Sequence, residues 1–199
     1  FFRLWENPRM CRHLHLPLQS GCGATLKRMV RKTTPAAYAG LLQAARSHCP
    51  EIAITTDIIV GFPGESEAEF EESLVFVEQM NFAGGHVFSY SLREGTAAAR
   101  MKGMVHGAVI RQRNQRMREV LQQSSLAYRQ RFVGSVGSVL WESCDEVGVK
   151  GWRLHGLTDN YIRVETYSPT ALWNQISRVR LERVTPEGME GVILNDGGQ

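Results

Sequence analysis

Apolar and polar positions along this 199-residue chain change their spacing twice, and each change marks a change of architecture. From Arg12 to Leu18, His13 and His15 alternate with Leu14, Leu16 and Leu18, which is the period of a strand, until Pro17 and Gly21 end it. A short helix is expected over Ala24 to Val30. Thr34 then stands as an N-cap before Pro35 at the first helical position, and Tyr38, Leu41, Leu42 and Ala45 recur at helical spacing until Cys49 and Pro50. Ile52 to Val60 is a β-branched run whose only charge is Asp57, so it predicts a strand buried on both faces. Gly61, Pro63 and Gly64 break that run, and Ser66 with Glu69 makes a capping box for a helix bearing Phe70, Leu74 and Val77. Gly84 and Gly85 lead into a third strand, His86 to Tyr90. Strand, helix, strand, helix, strand is the βαβ pattern of a parallel sheet.

The pattern then lengthens and shortens again. From about Met104 to Arg131 it predicts one long helix, with Ile110, Met117, Leu121 and Tyr128 on one side and Arg111, Arg113, Arg116 and Arg118 elsewhere. Gly134 and Gly137 end it. Short strands follow at Val139 to Glu142, Trp152 to Leu157, Tyr161 to Thr166 and Val179 to Val184, with a turn at 158–160. Their number and length suit a five-stranded barrel of the oligonucleotide-binding (OB) kind. The fold class is therefore α/β followed by a small all-β barrel, with domains expected at 1–133 and 134–199.

Three strand ends carry polar, glycine-containing loops: Gln19, Ser20 and Gly21; Gly61 to Glu65; and Arg93, Glu94 and Thr96. In parallel α/β sheets ligands bind at the carboxyl ends of strands, so these loops are candidate contacts. Each also has an ordinary reading: Gln19 and Ser20 can cap the next helix, Gly61 to Glu65 can be an ordinary strand-to-helix turn, and Arg93, Glu94 and Thr96 can simply close a turn; Asp57, within its strand, can be a satisfied carboxylate.

The composition, 43% hydrophobic, suits a globular protein, and no apolar run approaches the roughly 20 residues of a membrane span. Four irregularly spaced cysteines, Cys11, Cys22, Cys49 and Cys144, and the lack of a leader pattern point to a reducing, cytoplasmic setting and no membrane partner. A first residue that is phenylalanine leads to the expectation of a missing preceding portion. Net charge is +3 overall, but it divides into −1 for residues 1–99, +7 for 100–135 and −3 for 136–199. The middle segment is the expected source of attraction for phosphates.

Several motifs carry a family resemblance. RHLHLPLQSG over Arg12–Gly21, LKRM over Leu26–Met29, TTDIIVGFPGE over Thr55–Glu65 and YSLREGT over Tyr90–Thr96 resemble the radical S-adenosylmethionine methylthiotransferases that modify tRNA. GLTDNYIRV over Gly156–Val164 and LWNQI over Leu172–Ile176 resemble the TRAM domain, the RNA-binding β-barrel that ends those enzymes. The branch most similar acts on threonylcarbamoyladenosine. The resemblance implies the carboxyl-terminal half of a parallel, partial TIM-type radical barrel followed by a TRAM barrel. It implies S-adenosyl-L-methionine as cofactor, two 4Fe-4S clusters in the full-length enzyme, an electron donor, and the tRNA anticodon stem-loop as partner. The 5′-deoxyadenosyl radical would take hydrogen from an adenine ring before a methylthio group is added.

The cluster motif C-x-x-x-C-x-x-C is not in this sequence, so the chain alone is expected to hold no cluster and to be inactive. The missing amino-terminal part of the same enzyme would supply it. Cofactor contacts are expected at Gln19, Ser20, Gly61, Phe62, Pro63, Gly64 and Glu65. RNA contacts are expected at Arg111, Arg113, Arg116 and Arg118 on the helix and at Tyr161, Arg163, Arg178 and Arg180 on the barrel. The alternatives are a ribosomal-protein methylthiotransferase and a non-catalytic RNA-binding module.

Overall fold

Why the first strands stop where they do is visible in their backbone. The computed structural model describes residues 1–194. Strand β1 spans only His13–His15, shorter than the alternation predicts. Pro17 has no N–H to give a ladder, and Gln19 adopts a φ of 75°. The segment stays attached by Leu16 N–H to Thr55 O and by an isolated bridge from Gln19 to Ile58. Strands β2 (Ala53–Val60) and β3 (Gly84–Ser89) complete a sheet in the order β1-β2-β3, and β2 and β3 run parallel from the Thr55–Gly84 pair to the Val60–Ser89 pair.

Helices α1 (Gly23–Arg28), α2 (Pro35–His48), α3 (Glu67–Met80) and α4 (Gly107–Gln130) lie between and after the strands. They cover one face of β2, not two. Ile54, Thr56, Ile58 and Val60 are at most 1% exposed, whereas Thr55, Asp57 and Ile59 are partly exposed. On the covered face the Tyr38 hydroxyl of α2 donates to Leu16 O at 2.6 Å. A Cβ on Gly85 would meet Thr56 O of β2 at 2.6 Å and Leu121 of α4 at 3.3 Å, so the glycine lets strand and helix both pack close. The other face carries His15, Asp57 and Ile59, with His86 and Phe88 as the register partners of Asp57 and Ile59. The expectation of a strand buried twice fails because an apolar run records the side chains but not what lies opposite them.

Helix α3 starts with both halves of the expected capping box: Glu69 N–H donates to Ser66 Oγ at 3.2 Å and Ser66 N–H to Glu69 Oε2 at 2.8 Å. It ends on Asn81 in the left-handed region.

Strands β4 (Val136–Glu146), β5 (Trp152–Thr158), β6 (Arg163–Ser168), β7 (Ile176–Val184) and β8 (Met189–Ile193) close into a barrel in the order β4-β5-β6-β8-β7. The barrel is consistent with the TRAM kind. Its interior is Val139, Trp141, Leu154, Val164, Val179, Leu181 and Met189, each at most 2% exposed. Gly156 is required there, since a Cβ would sit 2.3 Å from Leu140 O. Strand β8 had no clear signal, and Tyr161, expected in a strand, lies before β6 with a φ of 59°. By contacts the chain divides into a unit of residues 14–125 with Phe2, and a unit of residues 3–13 and 126 onward with Phe1. Among the described residues no helix is long and apolar enough to cross a membrane.

Candidate ligand cleft and basic helix

The loop after β2 is closed by its own last residue. Gly61, at φ 77°, donates its N–H to Glu65 Oε2 at 2.7 Å, and Arg113 of α4 donates to the same oxygen at 2.9 Å and to Glu65 O at 3.0 Å. The Glu65 side chain is 1% exposed. Burial pushes its carboxyl above the ordinary range, and the Gly61 N–H and the Arg113 guanidinium only partly offset this. Ile110 fills the space a Cβ on Gly61 would take, Pro63 is buried, and Gly64 donates its N–H to Gly103 O. Ser20 is fully buried and its hydroxyl accepts from Cys22 N–H at 3.2 Å, closing a turn before α1 without capping it, since no side chain caps α1 at Cys22. Glu65 and Ser20 are thus spent on holding loops.

Of the seven expected cofactor contacts, Gln19 and Phe62 reach a cleft of about 510 Å³ at the carboxyl ends of the strands. Asp57, Ile59, Tyr90 and Arg93 are among its other walls. The volume lies in the range of small-molecule sites, roughly 300–1,000 Å³. Two of its oxygens matter most. Asp57 Oδ1 and the Tyr90 hydroxyl are buried and have no hydrogen-bond partner among the described residues. Leaving such a group unpaired costs about 1–3 kcal/mol, which makes these two wall residues candidates for contact with a ligand. The other carboxylate oxygen of Asp57 lies 3.3 Å from His15 Nε2, while His15 Nδ1 lies 3.0 Å from Thr55 Oγ1, so the imidazole is oriented from both nitrogens. Phe62 meets Tyr90 edge to face at 5.4 Å. Gln19 keeps its left-handed backbone in the same wall, a strained conformation of the kind found beside ligands. The sequence marks Asp57 as the only charge of its run, and the period of two sets it with Thr55 and Ile59 on one face of β2, but not beside His15 of β1.

The four helix arginines do not form one cluster. At about 100° per residue, Arg111 and Arg118 fall within about 20° of each other, and Arg113 and Arg116 within about 60° on the opposite side. Arg113 is 4% exposed, bound to Glu65 and to Glu67 at 2.8 Å, with its guanidinium 5.3 Å from the Phe70 ring centroid. Arg116 donates to Glu71 Oε2 at 2.9 Å. Arg111 and Arg118 are exposed and form no ion pair or hydrogen bond among the described residues. They line a groove with Val87, Phe88 and Ser89 of β3 and with Asn114 and Gln115.

On the barrel, Arg178 and Arg180 alternate with buried Val179 and Leu181 and so share the outer face of β7. Arg180 pairs with Glu182 at 3.0 Å. Tyr161 is 53% exposed, and its ring stacks on His13 at 4.1 Å. Arg163 is exposed at the start of β6. Cys22 and Cys49 are buried, Cys11 is exposed and Cys144 is partly exposed. Among the described residues no three His, Cys, Asp or Glu side chains are grouped as metal ligands.

No protein-family model matches the chain. Curated relatives do. The chain is 38% identical over 188 residues to the threonylcarbamoyladenosine tRNA methylthiotransferase MtaB of Thermotoga maritima, covering 94% of this chain and 41% of that protein. It is 37% identical over 186 residues to a tRNA-2-methylthio-N(6)-dimethylallyladenosine synthase of Acetivibrio thermocellus, covering 94% and 38%. A synthase of the same name from a Thermoanaerobacter species is 45% identical over 134 residues, 67% of this chain and 28% of that protein. The chain therefore spans about two-fifths of the length of the first two relatives. By these matches the chain belongs to the family of tRNA methylthiotransferases, corresponding to the carboxyl-terminal part of its members.

Proposed function

We propose that this chain is the carboxyl-terminal part of a cytoplasmic enzyme that adds a methylthio group to a hypermodified adenosine of tRNA, next to the anticodon. The observation that carries this reading is the extent of the match: at 37–38% identity it runs over 94% of the chain, through the cleft and the barrel together. Threonylcarbamoyladenosine is the preferred substrate, on the resemblance of the LTDNY and LWNQ segments to that branch. In this reading residues 1–133 complete a radical S-adenosylmethionine domain and 134–199 are the TRAM barrel.

The residues of the cleft fit S-adenosyl-L-methionine. Asp57 Oδ1 offers an acceptor and Tyr90 a hydroxyl, both without a partner among the described residues, and Phe62 and Ile59 offer apolar walls for a flat ring. When bound, that cofactor supplies the methyl group and the carbon–sulfur bond whose cleavage begins the radical chemistry. The chain's own share is to orient ligands through Asp57, Tyr90 and Gln19 and to exclude water with Phe62. The iron–sulfur clusters do not fit these residues, since the sequence has no C-x-x-x-C-x-x-C and among the described residues no three His, Cys, Asp or Glu side chains are grouped. They are assigned to the amino-terminal portion, as is the approach of the electron donor, and the chain alone is expected to be inactive.

Mass spectrometry of tRNA nucleosides from a strain deleted for the gene tests this. The 2-methylthio derivative of threonylcarbamoyladenosine is expected to vanish while its unmethylthiolated parent accumulates. Loss of the dimethylallyl derivative instead moves the chain to the other branch. Unchanged tRNA with an altered ribosomal protein rejects the reading.

A further inference from the structure

We propose that the groove between β3 and α4 is a track for single-stranded RNA, which holds the backbone beside the cleft and brings the target nucleotide to its mouth. This rests on the reading of the chain as part of a tRNA-modifying enzyme and adds to it the surface that positions the substrate.

The argument begins with charge. Residues 100–135 carry a surplus of +7, yet Arg113 and Arg116 are bound to the carboxylates of α3 and its capping turn. Arg111 and Arg118 carry the accessible charge of the stripe facing β3. Seven residues apart, they stand on one side of the helix about 10.5 Å from each other along its axis. That separation suits two phosphates of an extended strand, each taken as a charge-assisted, forked contact. Gln115 sits between them on the same stripe and donates to Glu119 at 3.0 Å.

The opposite wall of the groove is the edge strand β3. Asn114 donates to Val87 O and to Ser89 Oγ, so side chains already satisfy part of that edge, and Phe88 stands 51% exposed. An exposed phenylalanine beside two guanidiniums is the combination that binds single strands: phosphate contacts with an aromatic ring on which a base stacks. Phe88 and Ser89 also line the cleft that contains Asp57 and Tyr90. Groove and cleft therefore share a wall. A nucleotide stacked on Phe88, with its phosphates on Arg111 and Arg118, lies directly at the entrance to the ligand site.

The occupant is RNA rather than an acidic peptide because the cations are spaced along a line and paired with an aromatic face, not gathered about one point. A stem-loop substrate offers unpaired bases for that face.

The test measures binding of the 199-residue chain to an anticodon stem-loop RNA, to oligouridylate and to polyglutamate by fluorescence anisotropy across a salt series. The double variant Arg111→Gln/Arg118→Gln is expected to flatten the slope of log affinity against log salt by about 0.7 per contact, or about 1.4 in all, and to weaken binding about twentyfold at 0.1 M salt. The Arg111→Lys/Arg118→Lys variant keeps most of the slope, which separates lost charge from lost fold. Phe88→Ala weakens both RNAs about fivefold or more with the slope unchanged. If the double variant keeps the parent slope, or if Arg116→Gln loses as much, the groove proposal is overturned while RNA binding by the chain stands. Tighter binding of polyglutamate than of either RNA overturns it in favour of a peptide. If the parent chain binds neither RNA, both the groove and the tRNA reading of this part of the enzyme fail together.

Discussion

At the residue scale, the Arg113–Glu65 pair shows how a charge that reads as surface can be structural. Both side chains are at most 5% exposed, and Glu65 is the lock of the loop after β2. Removing the arginine leaves a buried carboxylate with the Gly61 N–H alone among its donors here. Arg113→Gln is therefore expected to destabilise the chain by about 3–5 kcal/mol, and the added change Glu65→Gln to recover much of that loss. Urea denaturation of the single and double variants checks it: a double variant no more stable than the single one would show that the charge pair is not what holds the loop. The composition of the helix did not disclose this. Four arginines within eight residues look like one patch until each is set at its angle. Even then the partner carboxylates come from Glu65, Glu67 and Glu71, more than 40 positions away. The spacing of Glu67 and Glu71, one helical turn apart, was the available hint.

At the element scale, the strand and helix order and the capping box were legible because they depend on neighbours in sequence. What covers each face was not. Helix α3 illustrates the first kind. Glu69 completes the capping box and also takes a forked contact from Arg28, at 2.8 and 2.6 Å. The Arg28 hydrogen bonds, more than its charge, hold the Glu69 carboxyl below its ordinary 4.5. A lowered carboxylate contributes stability that is present above its unfolded value and is lost as pH falls through the folded one. Glu69→Gln should thus lower stability at neutral pH and flatten its decline below about pH 4.5. Thermal unfolding from pH 7 down to 3 reads this directly, and a parallel decline in both proteins would dismiss the linkage. Strand β8 shows the second kind. Met189–Ile193 is short, contains Gly191, and pairs with β6 in parallel at only two positions, so no periodicity marks it. Its place is set by closure of the barrel.

At the scale of the whole molecule, two compact units carry different parts of one proposed task. The barrel unit includes residues 3–13, which the sequence had no means of assigning there. Arg12 grips Asp159 with two hydrogen bonds of 2.6 and 2.7 Å, and His13 covers one face of Tyr161. Stacking of Tyr161 on a base is restricted to its other face. In the unit of residues 14–125, the cleft gathers groups from all three strand ends, and two buried oxygens of its wall residues, Asp57 Oδ1 and the Tyr90 hydroxyl, have no hydrogen-bond partner among the described residues. The central claim is that this cleft serves methylthiolation of tRNA. Its most direct test is complementation of the deletion strain with Asp57→Asn at matched protein level, read as the methylthiolated nucleoside in tRNA. The substitution preserves shape and removes the charge, so the account predicts at least a roughly tenfold fall, the worth of one charge-assisted hydrogen bond. Full restoration of the nucleoside by the asparagine variant would contradict it.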